Sequence, residues 1–208
     1  MENWESYVRK VVPYVPGEQP QEERMIKLNT NENPYPPAPG VQRALAGFNP
    51  DTLRLYPEPT CKVLVDAIAS YYGLCSDQVF VGVGSDDVLA MVFLTFFNSG
   101  KPVFFPDITY SFYDVWADLF KIPYERPMLD ENFNIKPEDY MRTNGGIVFP
   151  NPNAPTGIYL ELDNVRKILD SNRDVIVIVD EAYIDFGGKS ALTLLDEYDN
   201  LLVVRTYS

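Results

Sequence analysis

The chain contains no histidine, so neither a Ser-His-Asp nor a Cys-His system can be assembled from its own side chains. Histidine-ligated zinc is excluded with them. Chemistry must then come from carboxylates, tyrosines, lysines or a bound cofactor. Five short segments carry suitable residues, each at the end of an apolar run. Gly82-Val83-Gly84-Ser85-Asp86-Asp87 leads from such a run into a segment of helical character. Small residues there let backbone N–H groups approach an anion, which the helix dipole favours. Asp107 to Tyr113 follows the next run, and Tyr110 offers an aromatic face to a planar ring. In Asn151-Pro152-Asn153-Ala154-Pro155-Thr156-Gly157 the prolines stiffen a loop from which the Asn153 amide can donate to a ligand oxygen. Asp180-Glu181-Ala182-Tyr183 ends the run VIVIV. A carboxylate at that point is costly unless something pairs with it. Asp180 is therefore a candidate for a metal, a substrate cation or a protonated heterocyclic nitrogen, and Tyr183 can reach the same ligand. Arg205-Thr206-Tyr207-Ser208 adds hydroxyls suited to an anion site. Taken singly, each segment also has an ordinary reading: helix-cap punctuation, a core aromatic, an Asx-Pro turn or a solvated strand end.

The elements that must position these residues follow from periodicity. Apolar runs predict strands over 79–84, 102–106, 122–125, 145–150, 174–182 and 201–206. Amphipathic stretches predict helices over 85–97 (Ser85 as N-cap), 110–120 and 160–171. An earlier helix is predicted over 60–72, capped by Thr60, with Val63, Leu64, Ala67, Ile68 and Tyr71 on one face. Short, wholly apolar strands alternating with helices indicate an α/β fold, three layers with a mainly parallel sheet covered on both faces. In such a sheet the binding crevice forms where loops leave the carboxyl ends of the strands. Every segment named above sits at such an end. The first forty residues, with LNTNENPYPPAPG at 28–40, are too rich in proline for a helix and read as an arm.

Bulk composition narrows the partners. Seventeen basic against thirty acidic residues leave a net charge of −13, which argues against a nucleic-acid or anionic-membrane surface. The two cysteines, Cys61 and Cys75, are too few for a disulfide scaffold and lack metal-ligand spacing. No apolar run approaches a membrane span, and the N-terminus does not resemble a signal peptide. A cytoplasmic protein is expected.

Seven segments in this order, LNTNENPYPP, LRLYPEP, VGVGSDD, PDITYSFY, FPNPNAPTG, VDEAYIDF and RTYS, resemble the fold-type I pyridoxal-phosphate aminotransferases, and within them the histidinol-phosphate branch. The resemblance runs from about residue 26 to Ser208. It implies residues 1–40 as an arm and the start of a small domain, 41–208 as the cofactor-binding large domain, and the rest of the small domain beyond this chain. It also implies pyridoxal 5′-phosphate as cofactor, its phosphate held by the backbone of Ser85 and Asp86 and the Ser208 hydroxyl. Tyr110 would stack on the ring, Asn153 and Tyr183 would bond its phenolic oxygen, and Asp180 would keep its nitrogen protonated. Tyr56 would reach the cofactor of a partner subunit, which makes the protein a homodimer. Asn33 and Tyr35 are the arm's candidate substrate contacts. The Schiff-base lysine is expected immediately after Ser208. The activity implied is amino transfer between L-histidinol phosphate and 2-oxoglutarate in histidine biosynthesis. Aromatic amino-acid transamination and phospho-amino-acid decarboxylation are the alternatives within the class, and a non-catalytic binding module is the alternative outside it.

Overall fold

The computed structural model describes residues 4–12, 14–15, 17–18 and 26–207; Ser208 lies outside them. Its contacts divide the chain into two compact units. One comprises Val15–Val81, the other the described residues up to Tyr14 together with those from Gly82 onward. The expected boundary after residue 40 falls inside the first unit.

In the first unit, α1 (Pro39–Ala46) starts on a proline, whose fixed φ and missing N–H suit a first helical turn. The helix α2 spans Lys62–Tyr72. Its inward stripe is Val65, Ile68, Ala69 and Tyr72, a true i, i+3, i+4, i+7 set, whereas Val63 and Tyr71 of the predicted face are exposed. Apolar residues occupy both faces of this helix, so the pattern alone does not fix its rotation. The cap also differs from expectation. Thr60 does not cap the helix; the Glu58 carboxylate accepts the Lys62 N–H at 2.7 Å, because its longer side chain reaches across the turn.

The second unit holds a five-stranded, wholly parallel sheet in the order β2-β1-β3-β4-β5. Its strands are β1 (Val103–Phe104), β2 (Tyr124–Glu125), β3 (Ile147–Pro150), β4 (Val177–Asp180) and β5 (Leu201–Val204). Helices α3 (Ser85–Phe96), α4 (Phe112–Phe120) and α5 (Leu162–Ser171) cover it. The crossover from β1 through α4 to β2 runs one way along the sheet, and that from β3 through α5 to β4 runs the other. Crossovers of one hand must then place these helices on opposite faces. They do: α3 and α4 pack Leu89, Phe93, Tyr113 and Ala117 onto Val103, Phe105, Val148 and Ile178. On the other face Val165, Ile168 and Leu169 of α5 meet Phe104, Ile147, Phe149, Val177 and Val179. The strands alternate residue by residue between the two cores, which is why they read as continuous apolar runs.

Pairing is uneven. Four residue pairs join β3 to β4 and four join β4 to β5, while β1 meets β3 through the single pair Phe104–Ile147. The strand predicted over 79–84 does not form, and Phe80 and Val83 are exposed. A strand exists through the neighbour it bonds, and this segment has none among the described residues. No helix among the described residues is long and apolar enough to cross a membrane.

Candidate active site

Because β2 and β3 lie on opposite sides of β1, the chain reverses its direction across the sheet between β1 and β3. A crevice is expected at the carboxyl ends of those two strands. Asn153 ties the two loops there. Its Oδ1 accepts the Thr109 hydroxyl at 3.0 Å, and its Nδ2 donates to Ile108 O at 2.9 Å and to the Thr156 hydroxyl at 3.1 Å. The carboxamide is buried, so these bonds carry the local geometry.

Asp180 is the last residue of β4, and strand alternation puts it on the face of Ile178, toward α4. There the fully buried Tyr113 hydroxyl donates to its Oδ2 at 2.8 Å, and the Ala182 N–H donates to its Oδ1 at 3.1 Å. Burial pushes the carboxyl up to about 6, against the two donors that favour its charged form, and the negative Asp86 adds to the rise. Among the described residues no basic side chain pairs with it. The site thus holds a buried acid that lacks a cation.

Glu181, the next residue, alternates to the opposite face. Its side chain accepts the Ser190 hydroxyl at 2.6 Å and the Ala191 N–H at 2.6 Å. Arg205 stands 3.8 Å from it and bonds Asp185 at 2.6 Å. Burial raises the Glu181 carboxyl too, and the two donors and the arginine oppose the shift. The role of Glu181 is to join the ends of β4 and β5 to the turn Ala191–Leu194.

The N-terminus of α3 supplies the anion-seeking end. Gly84, not Ser85, is its N-cap, at φ 85°, a backbone state that disfavours a side chain. A Cβ on Gly82 would lie 2.8 Å from Asp87 Oδ2 and 2.9 Å from Val88 Cγ2, so a side chain there would have to displace both. Asp87 Oδ2 accepts the Val83 N–H at 3.0 Å, which fixes the turn from within the helix. The first-turn N–H groups of Ser85 and Asp86 have no intrahelical acceptor, and the helix dipole adds positive potential there. Tyr110 donates to Asp86 Oδ1 at 2.8 Å. Its ring is half-buried, stacked on Phe112 at 5.6 Å and edge-on to Tyr113 at 5.7 Å. Burial and the neighbouring acids keep its phenol protonated.

The structure therefore brings Ser85, Asp86, Tyr110, Asn153 and Asp180 to one end of one sheet, with half-buried Tyr183 three residues beyond Asp180. Ser208 lies outside the described residues. Tyr56, Tyr35 and Asn33 belong to the other unit. Tyr56 and Tyr35 are exposed there, and Asn33 Oδ1 accepts the Tyr35 N–H at 3.0 Å in an Asx turn. Sequence reasoning missed Tyr113 as a partner of Asp180 and Glu181 as a tie. The available signals were the helical i, i+3 spacing from Tyr110 and the period of two across Asp180-Glu181. A recess of about 270 Å³ at the other end of β4 and β5, lined by Arg173, Asp174, Asp199 and Asn200, collects no comparable set. Among the described residues no acidic or thiol cluster is arranged to hold a metal.

Residues 23–208 match the family model described as aminotransferase class I and II. The chain belongs to the class I and II aminotransferases. It is 56% identical over 205 residues to a histidinol-phosphate aminotransferase of Pseudomonas putida (strain W619), covering 99% of this chain and 59% of that protein. To the histidinol-phosphate aminotransferase of Clostridium beijerinckii it is 51% identical, covering 99% of this chain and 57% of that one. The chain thus spans less than two thirds of the length of these relatives. Among solved structures it resembles the histidinol-phosphate aminotransferase of Sinorhizobium meliloti in complex with pyridoxal-5′-phosphate. The TM-score is 0.77 at 21% identity, over 86% of this chain and 51% of that one. The enzyme of Clostridium acetobutylicum follows at 0.66 and 20%, over 80% of this chain and 50% of that one. At these identities the likeness establishes the fold: the aminotransferase fold-type I sheet with its covering helices.

Proposed function

We propose that the protein moves an amino group between L-histidinol phosphate and 2-oxoglutarate, with pyridoxal 5′-phosphate bound at the carboxyl ends of β1, β3 and β4, in histidine biosynthesis. The observation that carries this reading is the 56% identity, over 99% of the chain, to a curated histidinol-phosphate aminotransferase. The donor set fits the cofactor. Among the described residues no cation pairs with the buried Asp180, and a protonated pyridine nitrogen would match it. The α3 N-terminus would offer Ser85 and Asp86 N–H groups to the phosphate, and the proposed Ser208 contact lies outside the described residues. Tyr110 would lie against the ring. Asn153 and Tyr183 would bond its phenolic oxygen, Asn153 by exchanging its Thr156 contact.

When bound, the cofactor supplies an electron sink for the charge left on the substrate Cα. The chain's own residues hold that sink in place. Asp180 keeps the ring nitrogen protonated, the helix end neutralises the phosphate, and the Asn153 loop tie fixes the crevice. In this reading residues 1–40 form an arm that contributes Asn33 and Tyr35 to the substrate. Residues 41–208 form the cofactor domain, and Tyr56 of the partner subunit completes the site in a cytoplasmic homodimer. No nucleic acid or membrane takes part.

The test is a titration of the cofactor-loaded protein followed by visible absorbance. L-Histidinol phosphate should change the cofactor band at far lower concentration than tyrosine or phosphothreonine. A stronger response to either of those would overturn the substrate, and a protein that acquires no band with pyridoxal 5′-phosphate would overturn the cofactor.

A further inference from the structure

The hydroxyl of Tyr113 lies in a core of aromatic rings, with Phe93 at 6.1 Å and Phe105 at 5.8 Å between ring centroids. A buried phenol must find an acceptor or forfeit its hydrogen bond. The acceptor it finds is Asp180 Oδ2, sixty-seven residues away in sequence, across the interface of α4 with the sheet. We propose that Tyr113 is a positioning residue for the cofactor: it fixes the rotamer of Asp180 and holds it in the charged form that meets the ring nitrogen. This rests on the proposed binding of pyridoxal phosphate at this site.

Three features carry it. First, each carboxylate oxygen of Asp180 takes one protein donor, Tyr113 on Oδ2 and the Ala182 N–H on Oδ1. Each oxygen keeps a second lone pair, so both stay competent toward a cationic ligand while the carboxylate plane is fixed. Second, the groups facing Asp180 are few. From α3 comes Asp86, which opposes its charge; from α4 and the loop before it come the phenols of Tyr113 and Tyr110. Its strand neighbours in register are Pro150 and Val204, which carry no charge. Third, of the contributions that favour the carboxylate the Tyr113 hydrogen bond is the largest, ahead of the Ala182 N–H. Tyr113 itself stays neutral and a donor, because burial and then the Asp180 charge raise its own ionisation well above the ordinary value.

The experiment uses apoprotein and pyridoxamine 5′-phosphate, which binds without a covalent link, so lysine chemistry does not enter. Its dissociation constant is measured by fluorescence from about pH 5 to about pH 9 for the wild type, Tyr113→Phe, Asp180→Asn and the double variant. Affinity should rise with pH through the ionisation of Asp180. Tyr113→Phe keeps the ring and removes the donor, so the acid limb should move up by about one pH unit, with affinity falling several-fold to about tenfold near pH 5 and only about twofold at neutral pH. Asp180→Asn retains only the pH dependence of the ligand's own ionisable groups, and in that background Tyr113→Phe should change affinity less than about twofold at any pH.

An unmoved limb in Tyr113→Phe overturns the proposal, as does an equal loss in both backgrounds, which would mark a packing role. Wild-type apoprotein that does not bind the ligand overturns the cofactor reading and this proposal together. A ring-fluorinated tyrosine at position 113 tests the same bond where Tyr113→Phe folds poorly. Its more acidic phenol is a stronger donor and should move the limb down, and a limb that stays put counts against the proposal.

Discussion

At the scale of single residues, Asp180 sets the proposed cofactor contact against stability. Its carboxyl is raised to about 6 from 3.8, so the folded protein holds this proton more tightly than the unfolded chain. The stabilisation is therefore present below the unfolded value and is lost as pH rises through about 6. For a fully buried group this amounts to about 3 kcal/mol between acid and neutral pH. Urea unfolding of the apoprotein across that window should show the decline in the wild type and a flatter profile in Asp180→Asn. Equal slopes would refute the assignment. Asp180 was legible in the sequence because an acid closing VIVIV has to be explained. Tyr113 was not, since it is one of fourteen tyrosines and is in truth a core residue. Its polar role exists only through an acceptor brought beside it by strand register.

At the scale of elements, most strands and helices were readable because tertiary packing and local periodicity agree. The parallel order, the two covering layers and the strand ends that carry candidate residues all follow from apolar runs alternating with amphipathic stretches. The failures have specific causes. In α2, Val63 and Tyr71 compete with Val65 and Tyr72 for the inner face, and packing rather than pattern decides between them. The run at 79–84 carries strand-like residues but has no ladder partner among the described residues. The loops are less predictable still, because Asn153 holds them through side-chain bonds that no periodicity reports. Asn153→Ala removes those three bonds and leaves the Ile108 carbonyl without its side-chain donor. A loss of about 2–3 kcal/mol in unfolding free energy is expected, with weaker cofactor binding. Stability within about half a kcal/mol of the wild type would show that the loops hold their shape without the amide.

At the scale of the whole chain, residues 1–208 include no histidine to change charge near neutrality. A pH effect seen there points first to the raised carboxyl of Asp180. The sheet itself has a further consequence, which lies in the order of its assembly. The strands β3, β4 and β5 are neighbours both in space and in sequence, with four paired residues at each joint. The pair β1 and β2 is likewise local, and the two blocks share one ladder pair, Phe104–Ile147, flanked by the bonds from Gly145 N–H to Pro102 O and from Phe104 N–H to Gly146 O. Local pairing closes shorter loops and is favoured early. The join between the blocks, with its shorter ladder, is then expected to form later, and the candidate site straddles it. Hydrogen exchange should find the β3–β5 amides slowest, those of β1 faster, and pyridoxamine phosphate slowing β1 most. Uniform protection across the sheet would contradict this order. On that outcome the ligand would act as a rivet, closing the last seam of the sheet that shapes its own site.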